Sequence, residues 1–148
     1  MEQELTLTQD RYRMLINQLP FAVEIFAPNG DLQQVNSAFE SLWHDKEEDL
    51  VGNYNVFENK KIEEMGLLEK VKEAFAGKLK VLEFPKLEFN PKQFGLPGRK
   101  RWIQSKGYPI FNEKGKVVNL ITITYDLTEE NKLKEIIKEY KKKYDNLD

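Results

Sequence analysis

The chain has 148 residues, enough for one ordinary domain around a single hydrophobic core and too few for two of typical size. With 40% apolar, 32% charged and 11% aromatic residues, it has the material for a small domain with a large wet surface, which argues against disorder. A net charge of -2 gives no footing to a mainly electrostatic partner such as duplex DNA or an anionic membrane, and the absence of cysteine removes disulfides, thiolate zinc sites, iron–sulfur clusters and thiol nucleophiles together.

Met1 to Asp10 is acidic and lacks an apolar run, and nothing in the sequence approaches the 18 or so apolar residues of a membrane span, so the chain is expected to be cytoplasmic, without a processed leader or membrane contact. Thr6 and Gln9 have capping-box spacing, and Tyr12, Leu15, Ile16 and Leu19 follow at helical spacing up to Pro20, which predicts an amphipathic lead-in helix. From Phe21 the period changes to two through Phe26. Asn29-Gly30 then predicts a two-residue hairpin turn into a second strand, Leu32 to Val35. Asn36 and Ser37 offer helix caps, with Glu40 placed to complete a capping box ahead of Phe39, Leu42 and Trp43. A short helical turn over Asp45 to Leu50 closes at Gly52. A longer helix is expected from Ile62 to Ala76, with Met65, Leu68, Val71 and Phe75 on one face and Gly77 as its stop.

Three strand-like stretches remain: Leu79 to Phe89, Lys100 to Pro109 and Lys116 to Tyr125. The proline- and glycine-bearing Asn90 to Gly98 reads as a loop, and Asn112-Glu113-Lys114-Gly115 as a turn. The order predicts an α+β fold with one five-stranded antiparallel sheet, helices on one face and a flanking helix at each end. The division expected is residues 1–20 for the first flanking helix, 21–127 for the body and 128–148 for the terminal helix. In that helix Leu133, Ile137, Tyr140, Tyr144 and Leu147 are spaced four, three, four, three, a heptad seam that suits a second copy of the chain. Two heptads alone are marginal in water, so the seam predicts a homodimer or a continuing chain.

Several residues in this order resemble the PAS sensor domain. The first block is Leu19-Pro20-Phe21-Ala22-Val23, through Asn29-Gly30, to Val35-Asn36-Ser37-Ala38-Phe39, similar to the family's strand, glycine turn, strand and "N-x-A-F" helix start. Leu50-Val51-Gly52 before Val56-Phe57 forms a second block, and Trp102, Pro109-Ile110 and Gly115 belong to a third. That third block ends on Asp126-Leu127-Thr128-Glu129, which looks like the family's "D-[IL]-T-E" junction between last strand and signalling helix. The likeness runs from about Tyr12 to Tyr140. It implies a sensory input module, as in sensor histidine kinases, that dimerises and passes a change through Asp126, Thr128 and Glu129 to an output domain.

Haem would need an axial imidazole facing the sheet, and Ile62 to Ala76 contains none; His44, the only histidine, reads as structural or exposed. The flavin adduct and the attached chromophore of photosensory relatives both need a cysteine, so neither is expected. A non-covalently held flavin stays open, since Asn, Gln and Trp side chains could bond to it and stack on it, but no fingerprint requires one. The expectation is no cofactor or an unidentified small molecule, in a pocket lined by Met65, Leu68 and Phe75 with polar points from Tyr54, Trp102, Gln104, Thr122 or Thr124. Asn36 reads as a helix cap. Glu24 on the first strand could serve a small α+β enzyme as a buried base, but a strand carboxylate is expected to face water. No phosphate loop, metal-ligand pair, Ser–His pair or phosphoacceptor histidine is present, so no catalytic or metal site is expected. Arg99-Lys100-Arg101 reads as ordinary surface. From Glu129 to Asp148 six lysines balance six acids, so no nucleic-acid partner is expected there either.

Overall fold

A computed structural model describes residues 2–94 and 99–145. The first helix, α1 (Glu2–Gln18), starts before Thr6, so the anticipated capping box lies inside the helix. After it β1 (Ala22–Phe26) and β2 (Leu32–Val35) form an antiparallel hairpin. The loop holds three residues rather than two: Gly30 N–H donates to Ala27 O at 2.9 Å and Ala27 N–H to Asp31 O at 2.8 Å, with Gly30 at φ 92°. Pro28 presets the first turn residue, and the positive φ is taken by glycine, the pattern of a three-residue hairpin loop.

Next come α2 (Ser37–Trp43) and α3 (Glu47–Leu50). Asn36 caps α2, its Oδ1 accepting from Phe39 N–H at 3.0 Å. Glu40 does not complete a box at Ser37; its Oε2 reaches forward and accepts Glu47 N–H, the first free donor of α3, at 3.0 Å. A 3-10 turn, Val56–Glu58, leads to α4 (Lys60–Glu64) and α5 (Leu68–Phe75). These two replace the single helix expected over Ile62 to Ala76. The break is at Gly66, φ 74°, where Leu67 N–H donates to Ile62 O and Gly66 N–H to Glu63 O, a Schellman closure that ends α4.

The expected strand over Leu79 to Phe89 is likewise divided, into β3 (Leu82–Glu83) and β4 (Leu87–Phe89), both paired with β5 (Arg101–Phe111). Phe84 N–H still donates to Ser105 O at 3.1 Å, after which Pro85 and Lys86 together stand opposite Gln104. Proline has no N–H to add to the ladder, so the chain bulges there. The sheet therefore has six strands among the described residues, in the order β2, β1, β6 (Val117–Asp126), β5, with β3 and β4 sharing the far edge. Last comes α6 (Thr128–Asp145).

One face of this sheet makes the core. Alternation turns Ala22 and Phe26 of β1, Ile103 of β5 and Leu120 of β6 inward, against Phe39 and Leu42 of α2 and Val71, Ala74 and Phe75 of α5. Val71 and Ala74 are fully buried, and Phe75 packs edge-on against Phe26 and Phe57 with ring centres 6.2 and 4.8 Å away. The helices α2 and α5 thus lie on one face of the sheet, as the sequence predicts.

Candidate functional site

Glu24 sits midway between Ala22 and Phe26, and the two-residue period of a strand puts it on the same inward face as both. It does not face bulk water, contrary to expectation. Its half-buried side chain lines a partly open cavity of about 500 Å³ between the sheet and the segment from α2 to α4. The sheet supplies Glu24, Phe26, Phe89, Ile103, Ser105 and Thr122, and the other walls include Trp43, Tyr54, Met65 and Phe84. With mostly apolar neighbours and no side-chain hydrogen bond among the described residues, burial pushes the Glu24 carboxyl up to about 7 from its ordinary 4.5.

Tyr54 is held against the first hairpin by its own carbonyl and by the side chain of the residue after it. Leu32 N–H donates to Tyr54 O at 3.1 Å, and the next residue, Asn55, donates through Nδ2 to Asn29 O and to Asp31 Oδ1. The first hairpin and the cavity wall are therefore one clasped unit. Asn59 fixes the ring from the other end: its Oδ1 caps α4 at Ile62 N–H, which leaves Nδ2 to donate to the Tyr54 hydroxyl at 2.7 Å. The phenol thus accepts from Asn59 and keeps its own proton to give. Burial, with a lesser contribution from the nearby Glu24 charge, pushes that hydroxyl up to about 12, so it remains a neutral donor.

Of the residues singled out from sequence, Tyr54, Met65 and Thr122 line the cavity. The other five do not. Leu68 opens α5 beyond the helix break, and Phe75 is committed to the aromatic core. Trp102 and Gln104 flank Ile103 and so point to the opposite face of β5. Thr124 is on the inward face, but it is buried and shares a 2.7 Å hydroxyl bond with Ser105. Glu24, Trp43, Asn59, Phe84 and Phe89 are among the further lining residues that sequence reasoning did not assign to the site; the register of β1 carried the signal for Glu24. Trp43 Nε1 is buried without a hydrogen-bond partner among the described residues, its ring edge-on to Phe89 at 4.8 Å. His44 ends α2 in the left-handed region, exposed and outside the cavity wall, and no cluster of metal-ligating side chains occurs among the described residues.

Asn36 does more than cap. Fully buried, its Oδ1 also accepts Val23 N–H at 2.9 Å, and its Nδ2 donates to Ile16 O and Phe21 O. One amide therefore ties the end of α1, the start of β1 and the start of α2, and every lone pair and proton it has is used.

At the other end of the sheet, Leu127 N–H donates to Trp102 O at 2.7 Å, and Trp102 N–H donates back to Thr128 Oγ1 at 3.1 Å. Asp126 Oδ1 accepts Thr128 N–H at 3.0 Å, an Asx turn at the helix start. Glu129 lies exposed in the first turn of α6, where the helix dipole favours an acid. Beyond this, Leu133, Ile137, Tyr140 and Tyr144 are all more than half exposed, and Tyr140 donates to the Tyr144 hydroxyl at 2.8 Å. Leu147, the last seam position, lies outside the described residues. No described helix is long and apolar enough to cross a membrane.

A family model described as the PAS fold matches residues 16–132, and the chain belongs to that family. The fold is shared with the PAS domain of BvgS from Bordetella pertussis, at TM-score 0.59 and 17% identity over 92% of this chain and 98% of that one. A PAS domain from Colwellia psychrerythraea gives 0.60 at 18% identity, covering 82% of this chain and 98% of its own. Similar again is the PAS domain of a two-component sensor histidine kinase, at 0.57 and 14% identity over 82% and 97% of the two chains. No curated protein matches the sequence.

Proposed function

We propose that this PAS domain is a sensory input module: a small ligand occupies the cavity beside Glu24 and Tyr54, and its presence is passed through β5 and β6 to α6 and on to an output domain. The observation that carries the reading is a separation of one residue. Ile103 lines the cavity, and its neighbour Trp102 holds the start of α6 by two backbone-directed bonds, at 2.7 and 3.1 Å. A ligand that shifts Ile103 or the adjoining Ser105 acts on the same short ladder that sets the helix angle, so binding and helix position are linked through one stiff element. The output class we infer is a histidine kinase, a reading supported by the two-component kinase domain that shares the fold. No residue of the site is assigned a catalytic role.

Native mass spectrometry of gently purified protein is expected to show a small molecule bound at one per chain. In a protein that joins this domain to its output, Asp126→Ala with Thr128→Ala is expected to cut the response to stimulus severalfold while the domain stays folded. An unchanged response would remove the junction from the pathway.

A second reading is favoured by the exposed seam of Leu133, Ile137, Tyr140 and Tyr144 together with Leu7, Tyr12, Met14 and Leu15 on α1. On that reading the domain is a ligand-free module that holds two chains together, and native mass spectrometry would return the bare chain mass.

A further inference from the structure

Within the cavity, Glu24 is the acid that the relay leaves without a task. It makes no hydrogen bond or ion pair among the described residues, and burial alone sets its proton affinity. A half-buried carboxyl among apolar walls is costlier to ionise than one in open water, so a charged group entering the cavity shifts its protonation. The other charged side chains on the wall, Asp45 and Lys61, are exposed, and the Tyr54 phenol, which stays neutral, is close enough to Glu24 to feel its charge.

The surrounding surface narrows the chemistry. Phe26, Trp43, Phe84 and Phe89 join Tyr54 around the same space. Aromatic faces carry partial negative charge and attract a cation within about 6 Å, most strongly where water is excluded. An anionic ligand would meet Glu24 and the ring faces together. A neutral acceptor would find the acid useful only while it held its proton. A cation is served by both features at once, and a volume of about 500 Å³ admits an apolar body behind the charged head.

We propose that the cavity is a site for small organic cations, a protonated amine or quaternary ammonium on an apolar or aromatic body, with Glu24 as counter-charge and the aromatic walls as its enclosure. This rests on the reading of the cavity as a ligand site and names the class of ligand it takes.

The test is calorimetric titration of the full chain with four probes: phenethylammonium, benzyltrimethylammonium, the neutral 2-phenylethanol and the anionic 3-phenylpropanoate. The two cations are expected to bind at least about tenfold more tightly than the other two. Glu24→Gln should weaken the cations by roughly tenfold to a hundredfold and leave the alcohol unchanged, as expected for loss of a charge-assisted contact. Wild-type protein supplies a second readout that needs no variant. Cation binding draws the acid into its ionised form, so titrations in buffers of different ionisation enthalpy should show about one proton released at about pH 6 and close to none at about pH 8.5. Alcohol or carboxylate binding as tightly as the cations would overturn the cation assignment and leave the cavity a ligand site. Cation binding that ignores Glu24→Gln and releases no proton would overturn it as well. If none of the four binds, the assignment falls, and a native mass spectrum showing another bound molecule would still sustain the sensory reading.

Discussion

Glu24 shows how a single position on a strand acquires unusual chemistry from its neighbours two places away. Ala22 and Phe26 are core residues, and a strand cannot turn the residue between them outward without turning them outward too. The folded chain therefore keeps the Glu24 proton up to about pH 7, whereas the unfolded chain releases it near 4.5. Between those values the native state binds more protons than the unfolded state, so stability falls as pH rises: the contribution is fully present below about 4.5 and is lost through about 7. Glu24→Gln, which mimics the protonated acid, is expected to match wild type at about pH 4 and to exceed it by about 1 to 3 kcal/mol at about pH 8. Urea unfolding of both proteins at both pH values measures this; parallel pH profiles would contradict it. The general preference of carboxylates for water argued for an exposed Glu24, and the register of its own strand argued against. The register prevailed because one slipped residue would expose two core side chains. Asn36 was legible as a cap from its place before Phe39, but its bonds to Ile16, Phe21 and Val23 were not, because they depend on where α1 and β1 finish in space.

Elements were most legible where one residue type decides them, and least where two local signals compete. The stretch from Ile62 to Ala76 has apolar spacing that continues through Gly66, so periodicity predicts one helix. The Schellman bonds at Gly66 end it instead, and they turn α5 onto the sheet while α4 stays beside the cavity. Pro85 acts similarly in the edge strand, where the alternating pattern runs on but the missing N–H forces a bulge. The two glycines that shape the site differ in a testable way. At Gly66 a methyl group would meet nothing within 4 Å, so Gly66→Ala is expected to cost only the left-handed backbone strain, about 1 kcal/mol. At Gly30 the same methyl would lie 2.6 Å from the Phe57 ring and 2.8 Å from Asn55 Oδ1. Gly30→Ala is therefore expected to cost about 3 kcal/mol or more, and to disturb Tyr54 through the Asn55 clasp. Thermal unfolding of the two variants side by side checks the ranking, and Tyr54 fluorescence or ring NMR signals check the second effect.

At the scale of the whole molecule, the body is closed by its sheet and helices, while α1 and α6 leave apolar side chains in water. Leu133 and Ile136 are 61% exposed, values a helix rarely tolerates without a partner surface. Sedimentation of the full chain at micromolar concentration is expected to show a dimer, and Leu133→Glu with Ile137→Glu to weaken it at least roughly a hundredfold. A wild-type monomer would leave the seam without a function in this chain. The strand periods, the place of the first hairpin though not its loop length, the cap before Phe39 and the start of α6 at Thr128 were determined by the sequence itself, since each is set largely by interactions within about five residues. The cavity was decided only by tertiary structure. Its walls come from residues 24, 43, 54, 84, 103 and 122, which meet only when β1, β5 and β6 lie side by side beneath the segment from α2 to α4. Partial enclosure by distant parts of the chain strips some of the water from around Glu24, and it is that desolvation, not any nearby residue in the sequence, that changes what the carboxyl can do.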